Sequence, residues 1–236
     1  MFQTVRHWFQ GERGRRVARL FLFEFTVVVA GVLTAQALAN WVGSRTEARA
    51  VSEENERVRY EIGRARQNAR IWLAAAPCLE DRLNDIIRKA PLEGQLDAAE
   101  LNAPRFLGFI VEGLSPDINR AFRDRYGVIT VDNYAAISSA SNAIVDVYRE
   151  MRRDWDRFAL LDPALGPPSP ADRATVRDVA VQVRSQLRRL RSQAEITEES
   201  ADRLGIAPLT SDAEYGFASP VKSCDEIWRT GQIWRE

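Results

Sequence analysis

From Leu20 to Val42 the chain reads Leu-Phe-Leu-Phe-Glu-Phe-Thr-Val-Val-Val-Ala-Gly-Val-Leu-Thr-Ala-Gln-Ala-Leu-Ala-Asn-Trp-Val, an apolar run interrupted by one ionisable side chain, Glu24. As a helix rising about 1.5 Å per residue, such a run is long enough to cross a hydrocarbon core roughly 30 Å thick. It constrains everything that follows it, because a spanning segment forces the rest of the chain to fold on one side of a bilayer.

The flanks set the orientation. Arg6, Arg13, Arg15, Arg16 and Arg19 precede the run with Glu12 as the lone acid, whereas Arg45 and Arg49 are interleaved with Glu47, Glu53 and Glu54. Short loops rich in Arg and Lys stay cytoplasmic, so residues 1–19 are expected inside and residues beyond 42 outside. Arg15, Arg16 and Arg19 then mark the inner interface. Trp41 marks the outer one, where an amphipathic indole is favoured. Phe2, Val5 and Phe9 recur at helical spacing beside Arg6 and Arg13, which fits a short interfacial helix or a disordered basic tail.

The competing assignment is a cleaved signal peptide, since Ala37-Leu38-Ala39 has a small-x-small pattern behind a basic start. The run nevertheless exceeds a usual signal core of about 7–15 residues, and Glu24 would be out of place in one. Arg15-Arg16 fits a twin-arginine signal poorly, given the Val17-Ala18-Arg19 that follows. A retained anchor over 20–42 is the expectation.

Within that anchor, Glu24, Gly31, Ala35 and Ala39 share one helical face. Small residues at four-residue spacing let helix backbones approach in lipid. A carboxylate in the apolar zone costs about 2.5–3.5 kcal/mol at its centre and less near an end. Glu24 therefore either hydrogen-bonds to a second transmembrane helix or snorkels to the inner interface beside Arg19.

Residues 43–76 read as a stalk-like amphipathic helix. Ala48, Val51, Asn55, Val58, Ile62, Ala65, Ala69 and Trp72 step by three and four alternately among Arg and Glu. The same spacing traces back through Trp41, Ala37, Thr34, Ala30 and Val27, making anchor and stalk one helix with Gly43 as the flex point. The seam is either one face of an intramolecular bundle or a parallel coiled coil with Asn55 fixing register, and the first is preferred. Pro77 is expected to stop or kink the helix.

Residues 77–236 are then a periplasmic helical domain, the whole chain being all-α: one transmembrane helix continuing into an antiparallel helical bundle. Leu79, Leu83, Ile86 and Ile87 form a short apolar face, and a looser region follows from Pro91 to Leu114. Ser115-Pro116 opens a helix that Gly127 closes, with Ile118, Phe122 and Tyr126 inward. Ile137, Ala140, Ile144, Val147, Met151, Trp155 and Phe158 stripe a long helix within 131–161. The proline-dense segment 162–171 is a turn. Ser169-Pro170 opens another helix with Val176, Val179, Val183, Leu187, Leu190 and Ala194 inward, restarting near Thr197 and ending at Gly205. The tail from Ile206 is expected to be irregular, with Trp228 and Trp234 packed on the bundle.

The two cysteines, Cys78 and Cys224, are expected to pair if the compartment is oxidising, tethering that tail. Two unrelated buried thiols are the alternative. A metal centre is disfavoured because the one histidine, His7, lies across the membrane from the domain. No cofactor is expected either.

Catalytic signatures are missing. A Ser–His–Asp or Cys–His arrangement needs a histidine in the exported part. The glycines are scattered singly rather than arranged as a phosphate loop. Acidic pairs such as Glu53-Glu54 and Glu198-Glu199 read as solvated surface. Thirty-three basic residues balance thirty-three acidic ones, which argues against nucleic acid as a partner. Arg149, Arg152, Arg153 and Arg157, with Arg184, Arg188, Arg189 and Arg191, read as solvated faces with helix-pair salt bridges, or less favourably as a surface for anionic lipid or glycan.

The block Glu24-Phe25-Thr26-Val27-Val28-Val29-Ala30-Gly31-Val32-Leu33 through Trp41, behind an Arg-rich start and ahead of a charged helix, resembles the N-terminal anchor of uncharacterised bacterial single-pass membrane proteins. The resemblance implies a bacterial inner-membrane setting and brings no catalytic residue or ligand with it. The leading expectation is a non-enzymatic accessory or scaffold subunit presenting its helical domain to a membrane-protein complex, other transmembrane helices or itself. A periplasmic sensor or ligand-binding bundle is the alternative. An anchored hydrolase with a carboxylate-based site is the third and weakest.

Overall fold

The computed structural model describes residues 12–92, 101–105, 109–209 and 219–235. The chain divides into two compact units, Met1–Ser52 and Glu53–Glu236. Among the described residues it is mostly helical. Helix α1, Glu12–Lys89, carries sequence from both units.

In the first unit every residue from 19 to 49 is exposed. Its polar side chains are partly satisfied by the helix itself: the Thr26 and Thr34 hydroxyls each donate to the carbonyl four residues back, both at 2.7 Å. A lipid-facing helix must meet its hydrogen-bonding needs internally, and this pattern suits it. Gly43, the expected flex point, lies inside unbroken helix. The segment around Phe2, Val5, His7 and Phe9 lies outside the described residues.

The second unit is built on the C-terminal part of α1, with α2 at Pro116–Tyr126, α3 at Val128–Trp155 and α4 at Pro170–Arg203. The seam behaves as a core face. Val58, Ile62, Ala65, Ala69 and Trp72 are buried by the chain's own residues and Asn55 is half-buried. A coiled-coil partner would find that face already covered.

The helix does not stop at Pro77. Proline removes one backbone donor and crowds the preceding turn. Here Ala75 and Ala76 on one side and Leu79, Leu83 and Ile86 on the other are all buried in one core, while Pro77 itself faces solvent. Burial on both sides holds the helix through the defect.

Helices α3 and α4 complete the core. Ile144, Met151 and Trp155 meet Val183, Leu187 and Leu190 across it. Their surface contacts run in opposite numerical order: Asp154 accepts from Gln182 and Gln186, while Arg189 reaches back to Glu150. The α1 and α4 pairs follow the same rule, from Arg66–Glu198 through Arg188–Glu80 to Arg184–Asn84. The Trp155 indole donates to the Leu101 carbonyl at 2.9 Å, so its polar edge is satisfied on burial.

Between α3 and α4 lie two short 3-10 turns, Asp156–Leu161 and Pro163–Leu165. The α4 start is a capping box in which Ser169 and Asp172 each bond the other's backbone N–H. No restart occurs at Thr197. Its side chain is fully buried and its hydroxyl donates to the Gln193 carbonyl, so the helix continues to Arg203.

The tail is more ordered than expected. Residues Ser219–Pro220 (β1) pair antiparallel with Trp234–Arg235 (β2), and α5 spans Cys224–Thr230 between them. Ile227 and Ile233 enter the core, with Trp228 and Trp234 packed against it. Arg82 of α1 lies 4.3 Å from the centre of the Trp228 ring. Cys78 and Cys224 are brought to disulfide distance, with Cα atoms 5.2 Å apart, within the usual range for a bridge.

One backbone crossing is tight. The Leu209 N–H donates to the Gly63 carbonyl at 3.2 Å, and a Cβ on Gly63 would meet Leu209 Cγ at 2.9 Å and the Ala207 carbonyl at 3.3 Å. Gly63→Val is expected to cost about 1–3 kcal/mol through overpacking, despite the gain in helix propensity over glycine. Chemical unfolding with an unchanged midpoint would refute this.

Candidate functional site

The first candidate is the apolar surface of α1. Among the described residues it is the one helix long and apolar enough to cross a membrane, and none of its most apolar stretch is buried. Glu24, Gly31, Ala35 and Ala39 are all exposed. A Cβ on Gly31 would meet nothing within 4 Å, so the face is open to a neighbour. Trp41 is 52% exposed, and the Arg45 guanidinium lies 4.1 Å from its ring centre. That pairing of aromatic body and cationic tip suits a headgroup layer. Arg19 is exposed, and the side chains of Arg15 and Arg16 lie outside the described residues.

The arginine-rich faces of α3 and α4 do not form one cationic surface. Arg149 pairs with Asp146, Arg152 with Asp156, Arg188 with Glu80, Arg189 with Glu150 and Arg191 with Glu195. Arg184 donates to the Asn84 side chain at 3.0 Å. Exposed pairs of this kind contribute about 0.2–1 kcal/mol each.

Two part-buried charge clusters are more closely knit. In the first, Arg57 grips Glu54 through Nε and Nη2, at 2.9 and 2.6 Å, and also bonds Glu61. The Tyr134 hydroxyl sits between the Glu61 carboxylate, at 2.9 Å, and the Glu112 carbonyl. The hydrogen bond from Arg57 holds the Glu54 carboxyl below its ordinary value against the opposing effect of burial. Burial, then the charge of Glu61, push the Tyr134 phenol upward, so it stays protonated and acts as a donor.

In the second, Arg66 donates from Nη1 to the Ile206 carbonyl at 2.6 Å and from Nη2 to Glu198 and Asp202 at 2.9 and 3.0 Å. Arg70 bonds the same Glu198 oxygen at 2.8 Å. Burial would raise the Glu198 carboxyl, but hydrogen bonds from Arg66 and Arg70 outweigh it and hold the group below its usual range. The Glu54–Arg57–Glu61 spacing was readable as helix-face pairing. The Arg66 set, whose carboxylates lie more than 130 residues away, has no local signal.

The third candidate is a groove of about 840 Å3 at the proline turn. Pro91, Leu161, Pro163, Pro167, Pro168 and Pro170 supply its walls, and its charged lining residues are Arg173 and Arg177. Arg173 Nη1 donates to the carbonyls of Ala90 and Leu92. Among the described residues, no three His, Cys, Asp or Glu side chains are grouped so as to hold a metal ion. No protein-family model matches the chain, and neither the curated proteins nor the solved structures contain a match to it.

Proposed function

We propose that the chain is a non-enzymatic accessory or scaffold subunit anchored in the bacterial inner membrane. In this reading Leu20–Val42 spans the bilayer with the N-terminus cytoplasmic. The second unit, an antiparallel helical bundle, stands in the periplasm and is presented to a membrane-protein complex. The observation that carries the proposal is the apolar stretch of α1, exposed along its whole length in a chain that buries its other apolar stripes. The open face of Glu24, Gly31, Ala35 and Ala39 supports a helical companion in lipid. The part-buried arginine clusters serve the fold, Arg57 and Arg66 being occupied by carboxylates and carbonyls and Arg70 by the Glu198 carboxylate.

The test is gentle solubilisation of native membranes and identification of what accompanies the chain. Glu24→Leu should abolish co-purification of a membrane partner while leaving the protein in the membrane fraction. An unchanged partner set, or a wild-type chain recovered soluble with residues 1–39 removed, would defeat the proposal. The groove at the proline turn favours the second reading, a periplasmic sensor or ligand-binding bundle.

A further inference from the structure

We propose that the groove at the proline turn is a binding site for a small amphipathic carboxylate, an organic anion with an apolar body. The inference does not depend on the membrane assignment, since every residue it uses belongs to the second unit.

The walls argue for an apolar body. Proline rings present rigid hydrocarbon with little side-chain entropy to lose on contact, and the volume of about 840 Å3 falls within the usual range for small-ligand sites. The cavity is held open by short-range chemistry. Asp162 caps the second 3-10 turn by accepting from the Ala164 N–H, and Gly166 turns the chain at φ +105°, a conformation side chains other than glycine disfavour. Ser169 and Asp172 lock the next corner. A preformed wall of this kind lowers the ordering cost of binding.

The charge argues for an anion. Both charged residues of the lining are arginines, four apart on α4 and therefore on one face. Arg173 is fixed by its Nη1 group on the Ala90 and Leu92 carbonyls. Its Nε and Nη2 atoms have no partner among the described residues. That edge of a guanidinium matches the two oxygens of a carboxylate. Arg177 is exposed and has no ion pair among the described residues. Arg173 is the fourth residue of α4, close to the N-terminal end where the helix dipole adds to the positive potential. The nearby Asp172 carboxylate is committed to Ser169.

Calorimetric titration of the full-length chain with 2-naphthoate, against its neutral analogue 2-naphthamide, tests the assignment. Naphthoate should bind saturably, and the amide at least about tenfold more weakly, as loss of a charge-assisted pair implies. Arg177→Gln should weaken naphthoate by a similar factor without changing the amide, and Arg173→Lys should do likewise by removing the fork. Equal binding of acid and amide overturns the proposal, as does wild-type affinity in Arg177→Gln. Absence of saturable binding at millimolar naphthoate overturns it too. Should Arg177→Gln, or Leu165→Asp at the exposed residue preceding Gly166 of the lining, instead shift the chain's sedimentation toward a smaller species, with no naphthoate binding, the groove is an interface between copies and the anion assignment fails.

Discussion

Replacing Cys78 and Cys224 together with alanine is expected to lower the stability of the second unit by about 3–5 kcal/mol. The bridge joins residues 146 apart in sequence, and in the chain-entropy model a loop of that size contributes about 5 kcal/mol, less in practice where the unfolded chain keeps structure. For a unit of this size that is a fall in melting temperature of roughly 6–20 °C. The double variant avoids leaving a lone thiol, and reductant on the natural chain should reproduce its midpoint. Hydrogen exchange should show β1, α5 and β2 losing protection first, because the tail buries only a few side chains such as Ile227 and Ile233. Equal midpoints and equal gel mobility with and without reductant would show that the pair is not bridged in the mature protein.

Arg66→Met should cost about 3 kcal/mol. Removing one partner of a buried ion pair typically costs about 3–5 kcal/mol because the other charges stay behind. The lower end applies here, since the Glu198 side chain keeps 25% of its exposure and Asp202 keeps 77%. The Ile206 carbonyl also loses its donor. The network has a pH signature. Glu198 and Glu54 are both held below their ordinary values, so each favours the folded state fully above the unfolded carboxylate value of about 4.3. That contribution is lost as pH falls through the lower folded value. Stability of the natural chain should therefore drop steeply below about pH 4, and Arg66→Met should drop less steeply. Parallel acid curves would assign the buried arginine no electrostatic role.

Where a signal was local, it was legible. The α3 and α4 stripes, the proline turn and the Ser169 start were readable because apolar spacing, capping chemistry and missing donors all act within a few residues. Pro77 misled because its local penalty is outweighed by core contacts of Ala75, Ala76, Leu79 and Leu83, which spacing alone cannot weigh. Thr197 misled because a hydroxyl that looks like a cap bonds back to Gln193 when buried. The tail's order depends on distant residues: the Gly231 carbonyl accepts from the Arg105 N–H, and Arg82 covers Trp228. The wheel pattern of Glu24, Gly31, Ala35 and Ala39 falls on a stretch that is exposed throughout. The groove was not legible, since it needs Pro91 and Arg177 brought together from positions far apart in the sequence.

The bridge between Cys78 and the tail has a consequence for biogenesis. At roughly 5–20 residues per second of synthesis, about 7–30 s separate the appearance of one cysteine from that of the other. During that interval the earlier thiol has no partner within its own nascent polypeptide, because the sequence holds just two cysteines. Within these 236 residues no alternative intramolecular pairing exists, and an erroneous product open to the earlier thiol is a covalent cross-link to another polypeptide. Closure of the bridge waits on Cys224, and crowding of unfinished chains is its natural hazard.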